Sequence, residues 1–235
     1  MEHRTVDWTG SPSPDGAASE GLRERKKRQM RQRLSDTATE MFMQRGFDGV
    51  RVAEIAEACG VSEKTVFNYF PSKESLLLDR WDSTMPALRI RLAETRLSPT
   101  EAALGILDDE LHALTSWMEA HDDPVAAGSL IRRFGTLISA TPALRSHQRD
   151  MTDELIAAAT EVLAARAGLS PDDPELQITA TALLGLWQIQ FNSLSRHLDG
   201  TRTPAQIHEA VSDDVRRAAG LIDKGLRSLE LPGPY

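Results

Sequence analysis

Beyond residue 97 the chain repeats one device five times, a short polar residue followed at once by proline: Ser98-Pro99, Asp123-Pro124, Thr141-Pro142, Asp173-Pro174 and Thr203-Pro204. A side-chain oxygen in front of a helix accepts a backbone N–H that the helix leaves unpaired. Proline just inside the helix gives up a donor that would be orphaned anyway. Glu101 and Gln206 stand three residues after Ser98 and Thr203 and complete two capping boxes. Apolar stripes at helical spacing follow, such as Leu104, Leu107, Leu111, Leu114 and Met118, or Ile207, Val211, Val215, Ile222 and Leu226. The pattern predicts five long helices from residue 99 onward. No stretch of the chain alternates as a strand would, so the expected fold class is all-α.

Upstream, the elements are shorter. Residues 1–21 are dense in Gly, Pro and Ser without apolar period and read as a flexible leader. Met30, Leu34, Ala38, Met41 and Phe42 predict a first helix from about Leu22 to a C-terminal cap at Gly46. Val52, Ile55, Ala56 and Cys59 give a brief second helix that stops at Gly60. Ser62 caps a third carrying Val66 and Phe70, and Ser72 a fourth carrying Leu76, Leu77 and Trp81, which Pro86 ends or kinks. Nine helices result, with no internal repeat. They are best divided into a helical domain at 22–72 and a larger one at 73–235.

Charge is distributed unevenly between these parts. The net charge is -8, yet residues 1–80 hold 13 basic and 13 acidic residues, so the whole excess lies beyond residue 80. Arg23, Arg25, Lys26, Lys27, Arg28, Arg31 and Arg33 are opposed locally by Glu24 alone, a basic arm suited to phosphate, although solvated helix faces also look like this. Cys59 is the only cysteine, which excludes an intramolecular disulfide and fits a reducing cytoplasm. No run is apolar enough for a membrane span or a secretory signal.

The functional signal is VAEIAEACGVSEKTVFNYF at residues 52–70. A helix-turn-helix needs a small residue where its helices cross, a glycine at the turn and apolar residues that hold the angle. Ala56, Gly60, Val61 and Val66 supply these. The second helix would then present Glu63, Lys64, Thr65, Asn68 and Tyr69 outward, able to reach base edges and phosphates.

The longer stretch GFDGVRVAEIAEACGVSEKTVFNYFPSKESLLL, residues 46–78, resembles the TetR family of transcriptional regulators. It combines an Ile-Ala pair, Gly-Val-Ser, a Thr-x-Phe-x-Tyr-Phe run and a Ser-Lys-Glu opening of the fourth helix. The resemblance implies a three-helix helix-turn-helix DNA-binding domain joined to a larger helical domain that binds an effector and dimerises. It also implies that Thr65 and Tyr69 give hydroxyls to phosphates and that Lys73 meets a phosphate at the start of the fourth helix. Lys64 and Asn68 are the candidates for base contact, whereas Ser62 needs do no more than cap its helix. One departure stands out, because the family usually places Thr where this chain has Val50-Arg51. Arg51 cannot cap, and a cation there opposes the helix dipole, so Asp48 is the substitute cap and Arg51 a candidate phosphate contact.

The larger domain carries no phosphate loop, dinucleotide turn or zinc-protease motif, and its histidines are scattered singly. The sequence therefore indicates no enzyme, metal or cofactor. The resemblance implies a double-stranded DNA operator, a homodimer and a small, largely apolar effector. Candidate effector contacts are Trp117, Phe134 and Phe191 with the polar stripe Thr181, Gln188 and Asn192. Helices at about 174–198 and 204–229 are the expected dimer interface, with Leu183, Leu186, Leu194 and Leu198 on one face and Ala182 and Gly185 allowing close approach. A repressor released by its effector is the leading reading. An activator or ligand-independent regulator of the same fold would look alike, and an all-helical enzyme is the distant rival.

Overall fold

The computed structural model describes residues 21–78 and 83–226. The proposed leader before Gly21, Trp81 and the chain beyond 226 lie outside the described residues. The elements are α1 (Leu22–Arg45), α2 (Val52–Ala58), α3 (Glu63–Tyr69), α4 (Ser75–Leu78), α5 (Thr84–Ala93), α6 (Pro99–Glu119), α7 (Pro124–Ala140), α8 (Pro142–Ala167), α9 (Pro174–His197) and α10 (Pro204–Leu226). No strand occurs among the described residues. The all-α expectation holds, with one helix more than the sequence indicated. Pro86 does not terminate the fourth helix: it sits in the first turn of α5, where its missing N–H costs nothing.

All five polar-proline pairs open helices, and four of them cap as their chemistry suggests. Ser98 Oγ accepts from Glu101 N at 3.1 Å while Glu101 accepts from Ser98 N at 2.7 Å. Thr203 and Gln206 repeat the exchange at 3.3 and 3.0 Å. Asp123 accepts from Val125 N and Ala126 N, and Asp173 from Glu175 N. Thr141 is the exception. It is the single residue between α7 and α8, and its hydroxyl donates back to Leu137 O at 2.8 Å, closing the earlier helix instead of opening the later one.

The chain divides into two compact units. Of the described residues, the first comprises 21–78 with 133–148, and the second 83–132 with 149–226. In the first, Leu34, Ala38 and Phe42 of α1, Ile55 and Ala56 of α2, Val66 and Phe70 at α3, and Leu76 and Leu77 of α4 are all buried, with α1 packed on α2 and α4 and α2 on α3. Arg133 Nη2 donates to Met43 O in the same unit at 3.2 Å. The basic run is not a separate arm. It forms the opening turns of α1, whose residues 22–29 are all exposed.

The second unit packs α6 between α5, α9 and α10, burying Leu88, Leu107, Leu111, Leu183, Leu186 and Val211. Cross-helix polar ties reinforce it. Arg166 donates to Leu92 O and Leu97 O, and Asp214 of α10 accepts from Ser193 Oγ at 2.6 Å and Arg196 at 2.9 Å on α9. The hydrogen bond from Ser193 holds the Asp214 carboxyl down at about 2, with His197 and Arg217 adding to it. Of the four leucines expected at a dimer seam, Leu183, Leu186 and Leu198 are buried within the protomer and Leu194 is half-buried. On a helix with apolar residues around much of its circumference, spacing cannot tell which stripe faces the core.

Candidate nucleic-acid interface

The turn between α2 and α3 closes by backbone hydrogen bonds before any side chain is considered. Gly60 takes φ +65°, its N–H bonds to Glu57 O, and Val61 N bonds to Ala56 O, both at 3.0 Å. This pairing, with a left-handed residue just past the helix, is the Schellman arrangement, and an L side chain at Gly60 would strain it. Ser62 then starts α3, its Oγ accepting from Thr65 N at 3.1 Å and lying 2.8 Å from Thr65 Oγ1. Val66 and Phe70, one turn apart and both buried, pin the inner face of α3.

The opposite face is exposed. Glu63, Lys64, Phe67 and Asn68 all lie on it, with Thr65 and Tyr69 half-buried at its margins. Among the described residues, Lys64 and Asn68 make no side-chain hydrogen bond or ion pair within the chain. An amide and an ammonium held out on a short, rigid helix keep their full donor and acceptor capacity for a polar partner. Arg31 anchors the far end of α3: its guanidinium donates to Tyr69 O at 2.6 Å and lies over the Phe70 ring.

The N-terminus of α2 resolves the missing cap. Glu54, not Asp48, serves it, accepting from Arg51 N at 2.7 Å, which is half of a capping box. Arg45 donates both to Glu54 at 2.9 Å and to Gly49 O at 2.6 Å, so one guanidinium ties the end of α1 to the start of α2. The Arg51 N–H bond, followed by Arg45, holds the Glu54 carboxyl below the usual range. A β-carbon on Gly49 would fall 2.5 Å from Arg45 O, which explains glycine there. The Arg51 side chain itself is 83% exposed and lies 3.6 Å from the Glu54 carboxylate.

Lys73 is placed differently from the other cations. Its ammonium donates to Phe47 O at 2.6 Å and lies 4.3 Å above the Phe47 ring and 5.5 Å from that of Phe42. It locks the turn after α1 onto the core, a structural task that the sequence did not suggest.

The expected effector contacts fall in both units. Phe134 belongs to the first unit, while Trp117, Thr181, Gln188, Phe191 and Asn192 belong to the second. Trp117 and Phe191 are half-buried, Trp117 beside the His121 ring at 5.6 Å. Thr181, Gln188 and Asn192 do share one face of α9, but that face is exposed, not buried among aromatics. Gln188 donates to Asn192 at 3.0 Å and Thr181 to Gln177 O at 2.8 Å, so their polar groups are satisfied locally. Ile178, Gly185 and Ile189 are exposed beside them.

A half-buried carboxylate of the second unit went unnoticed in the sequence. Glu110 of α6 accepts from Thr84 Oγ1 of α5 at 2.6 Å and from Trp187 Nε1 of α9 at 3.0 Å. Burial raises its carboxyl pKa, the two donors offset this in part, and Asp109 adds to the rise. Its position three residues after Leu107 and four before Leu114 places it on the inner flank of the stripe, a signal that was available. Among the described residues no cluster of three or more His, Cys, Asp or Glu could hold a metal ion, and no helix is long and apolar enough to cross a membrane.

Comparison with known proteins bears on both units. The family described as bacterial regulatory proteins, tetR family, matches residues 34–79, and the MftR C-terminal domain matches residues 109–219. The chain is 29% identical over 154 residues to the HTH-type transcriptional regulator TcmR of Streptomyces glaucescens, covering 65% of this chain and 67% of that one. It is 37% identical over 76 residues to the HTH-type transcriptional regulator RutR of Escherichia coli, covering 29% of this chain and 36% of that one. NalD, the secondary repressor of the MexAB-OprM multidrug efflux pump in Pseudomonas aeruginosa, shares the fold. Its TM-score is 0.50 at 21% identity, over 82% of this chain and 97% of that one. A helix-turn-helix with an unpartnered polar face, matched by the family through its whole length, thus precedes a helical unit matched by a regulator's C-terminal domain: the chain belongs to the tetR family and is a DNA-binding transcriptional regulator.

Proposed function

We propose that the protein is a homodimeric repressor that reads a double-stranded DNA operator through α3 and is released by a small, largely apolar effector held in the second unit. The observation that carries the DNA-reading part is the exposed, unpaired state of Lys64 and Asn68 beside the α2–α3 turn. In this reading Lys64 and Asn68 contact base edges in the major groove, and Thr65, Tyr69 and Arg51 contact phosphates. Ser62 caps α3. Lys73 adds a phosphate contact only with whatever donor capacity Phe47 O leaves free. The exposed turns of α1, residues 22–29, lend screened positive charge. Such a protein works where its DNA is, in the cytoplasm.

Dimerisation is supported by the outer face of α9, where Ile178 and Ile189 are exposed on either side of Gly185, and by Leu221 of α10, 71% exposed. Effector release follows from differential affinity: a ligand that favours a spacing of the two α3 helices unsuited to DNA weakens operator binding by a coupling of about 1 to 3 kcal/mol. The test begins with selection of a binding duplex from a randomised library. That duplex is then placed upstream of a reporter gene in cells with and without the protein. Repression by the wild type, lost with Lys64→Ala and Asn68→Ala together, supports the reading. Increased transcription would make the protein an activator, and failure to enrich any duplex would sink the assignment of α3.

A further inference from the structure

We infer that the cleft where α6, α9 and α10 meet binds a small primary amine, its ammonium on Asp108 and its apolar body on Leu104 and Val215. The inference rests on the reading that the second unit holds an effector, and it names that effector's chemical class. The cleft measures about 220 Å3, and its lining includes Leu104 and Asp108 of α6, Gln190 of α9, and Ser212, Val215 and Arg216 of α10. Sites for drug-sized molecules run to about 300 to 1,000 Å3, so the occupant is smaller than those.

Two polar groups here are out of place for a packing role. Gln190 stands four residues after Leu186 and three before Ser193, both buried, so it occupies the inner stripe of α9. Its amide makes no side-chain hydrogen bond among the described residues. His208, one turn before Ser212, has its Nε2 buried without a hydrogen-bond partner, 3.4 Å from Asp108 Oδ1. Buried polar atoms are nearly always paired, and an unpaired one calls for a partner.

Charge selects the ligand. Arg216 lines the cleft but is answered by Asp213 at 3.2 Å on its own helix. Asp109, next to Asp108, is paired with Arg91. Asp108 meets no lysine or arginine among the described residues: Ser212 Oγ donates to its Oδ1 over a long 3.4 Å, and His208 Nε2 lies equally far from that oxygen. The Asp108 side chain is half exposed, so a ligand reaches it from solvent. The lining therefore offers one unanswered negative charge, the amide oxygen of Gln190 and, when the His208 ring proton sits on Nδ1, an imidazole acceptor beside them. An ammonium has three donors and no acceptor, which matches such a set. A carboxylate in its place would face Asp108, and an alcohol would leave that charge unanswered.

The experiment titrates the full chain with n-hexylamine in a calorimeter, with n-hexanol and hexanoate as matched controls. The amine should bind more tightly than the alcohol by about tenfold or more, the range for a hydrogen bond to a charged group, and hexanoate should give no heat of binding. Asp108→Asn should lower amine affinity by a similar factor and Gln190→Leu should weaken it too, whereas Asp109→Asn should change it by no more than about twofold. Thermal unfolding checks the fold of each variant, and Gln190→Leu keeps the test open should Asp108→Asn fail to fold. Absence of amine binding, equal affinity for amine and alcohol, or unchanged affinity in Asp108→Asn overturns the proposal. A duplex selected from a randomised library by the wild type separates this result from the effector reading. Saturating amine should lower affinity for that duplex by about fivefold or more. Unchanged duplex affinity with the amine bound through Asp108 keeps the cleft as an amine site and removes it from operator release. If another compound releases the wild type while the amine never binds, the cleft assignment falls and the effector reading stands.

Discussion

The outer faces of α3 and α9 both expose amides beside an apolar side chain, yet they are built to opposite ends. On α3, Asn68 and Lys64 have no side-chain partner among the described residues. On α9, Gln188 and Asn192 bond to each other, Thr181 bonds to its own helix, and Gly185 lies between them with open space around its α-carbon. Unpaired polar groups on a rigid helix gain most from a polar partner such as a base edge. Self-satisfied ones lose little when a second helix covers them, and a glycine lets that helix come close.

The largest effect that sharpens this contrast is expected from Gly185→Leu. A β-carbon there meets nothing within 4 Å, and leucine favours the helix by about 1 kcal/mol over glycine. The variant should therefore fold at least as well as the wild type but sediment as a monomer. Operator affinity should fall by about a hundredfold or more as the two half-sites cease to be held together. A dimer by analytical ultracentrifugation would remove α9 from the interface.

Lys73→Ala comes next. Loss of the bond to Phe47 O and of the contacts with two rings should cost about 2 kcal/mol of stability, measured by denaturant unfolding. If the ammonium also meets a phosphate, the log-log salt slope of DNA binding should shrink by about one. An unchanged slope with reduced stability would make Lys73 purely structural.

Asn68→Ala should relax discrimination at one or two operator positions by about 1 to 3 kcal/mol without loss of stability. The Gln188→Ala, Asn192→Ala double variant serves as its counterpart and should alter DNA binding by less than about 0.5 kcal/mol. Binding to a library of single-base operator variants measures both. A larger effect from the α9 pair than from Asn68 would break the comparison.

The smallest effect concerns acid. The folded Asp214 carboxyl titrates at about 2 against an ordinary 3.8, so its stabilising effect is complete above that ordinary value and is lost as pH falls from 3.8 toward 2. Asp214→Asn should lower stability at neutral pH by about 1 kcal/mol and make the acid limb of the stability curve shallower. A limb of unchanged slope would show that Asp214 does not contribute to it.

Sequence alone determined the helical class, the position of every polar-proline helix start and the helix-turn-helix with its glycine turn. These features follow from local chemistry, because a cap, a missing N–H or a left-handed glycine acts within a few residues of itself. The orientation of α3 was legible for the same reason, since Val66 and Phe70 leave only one face outward. Tertiary structure decided the rest. It gave the cap of α2 to Glu54 through Arg45, drew Lys73 into the Phe42–Phe47 cluster, and tied Glu110 to Thr84 and Trp187. It also turned Leu183 and Leu186 inward and Thr181, Gln188 and Asn192 outward. Periodicity states that residues share a face, but which face is buried depends on what the other helices bring to it.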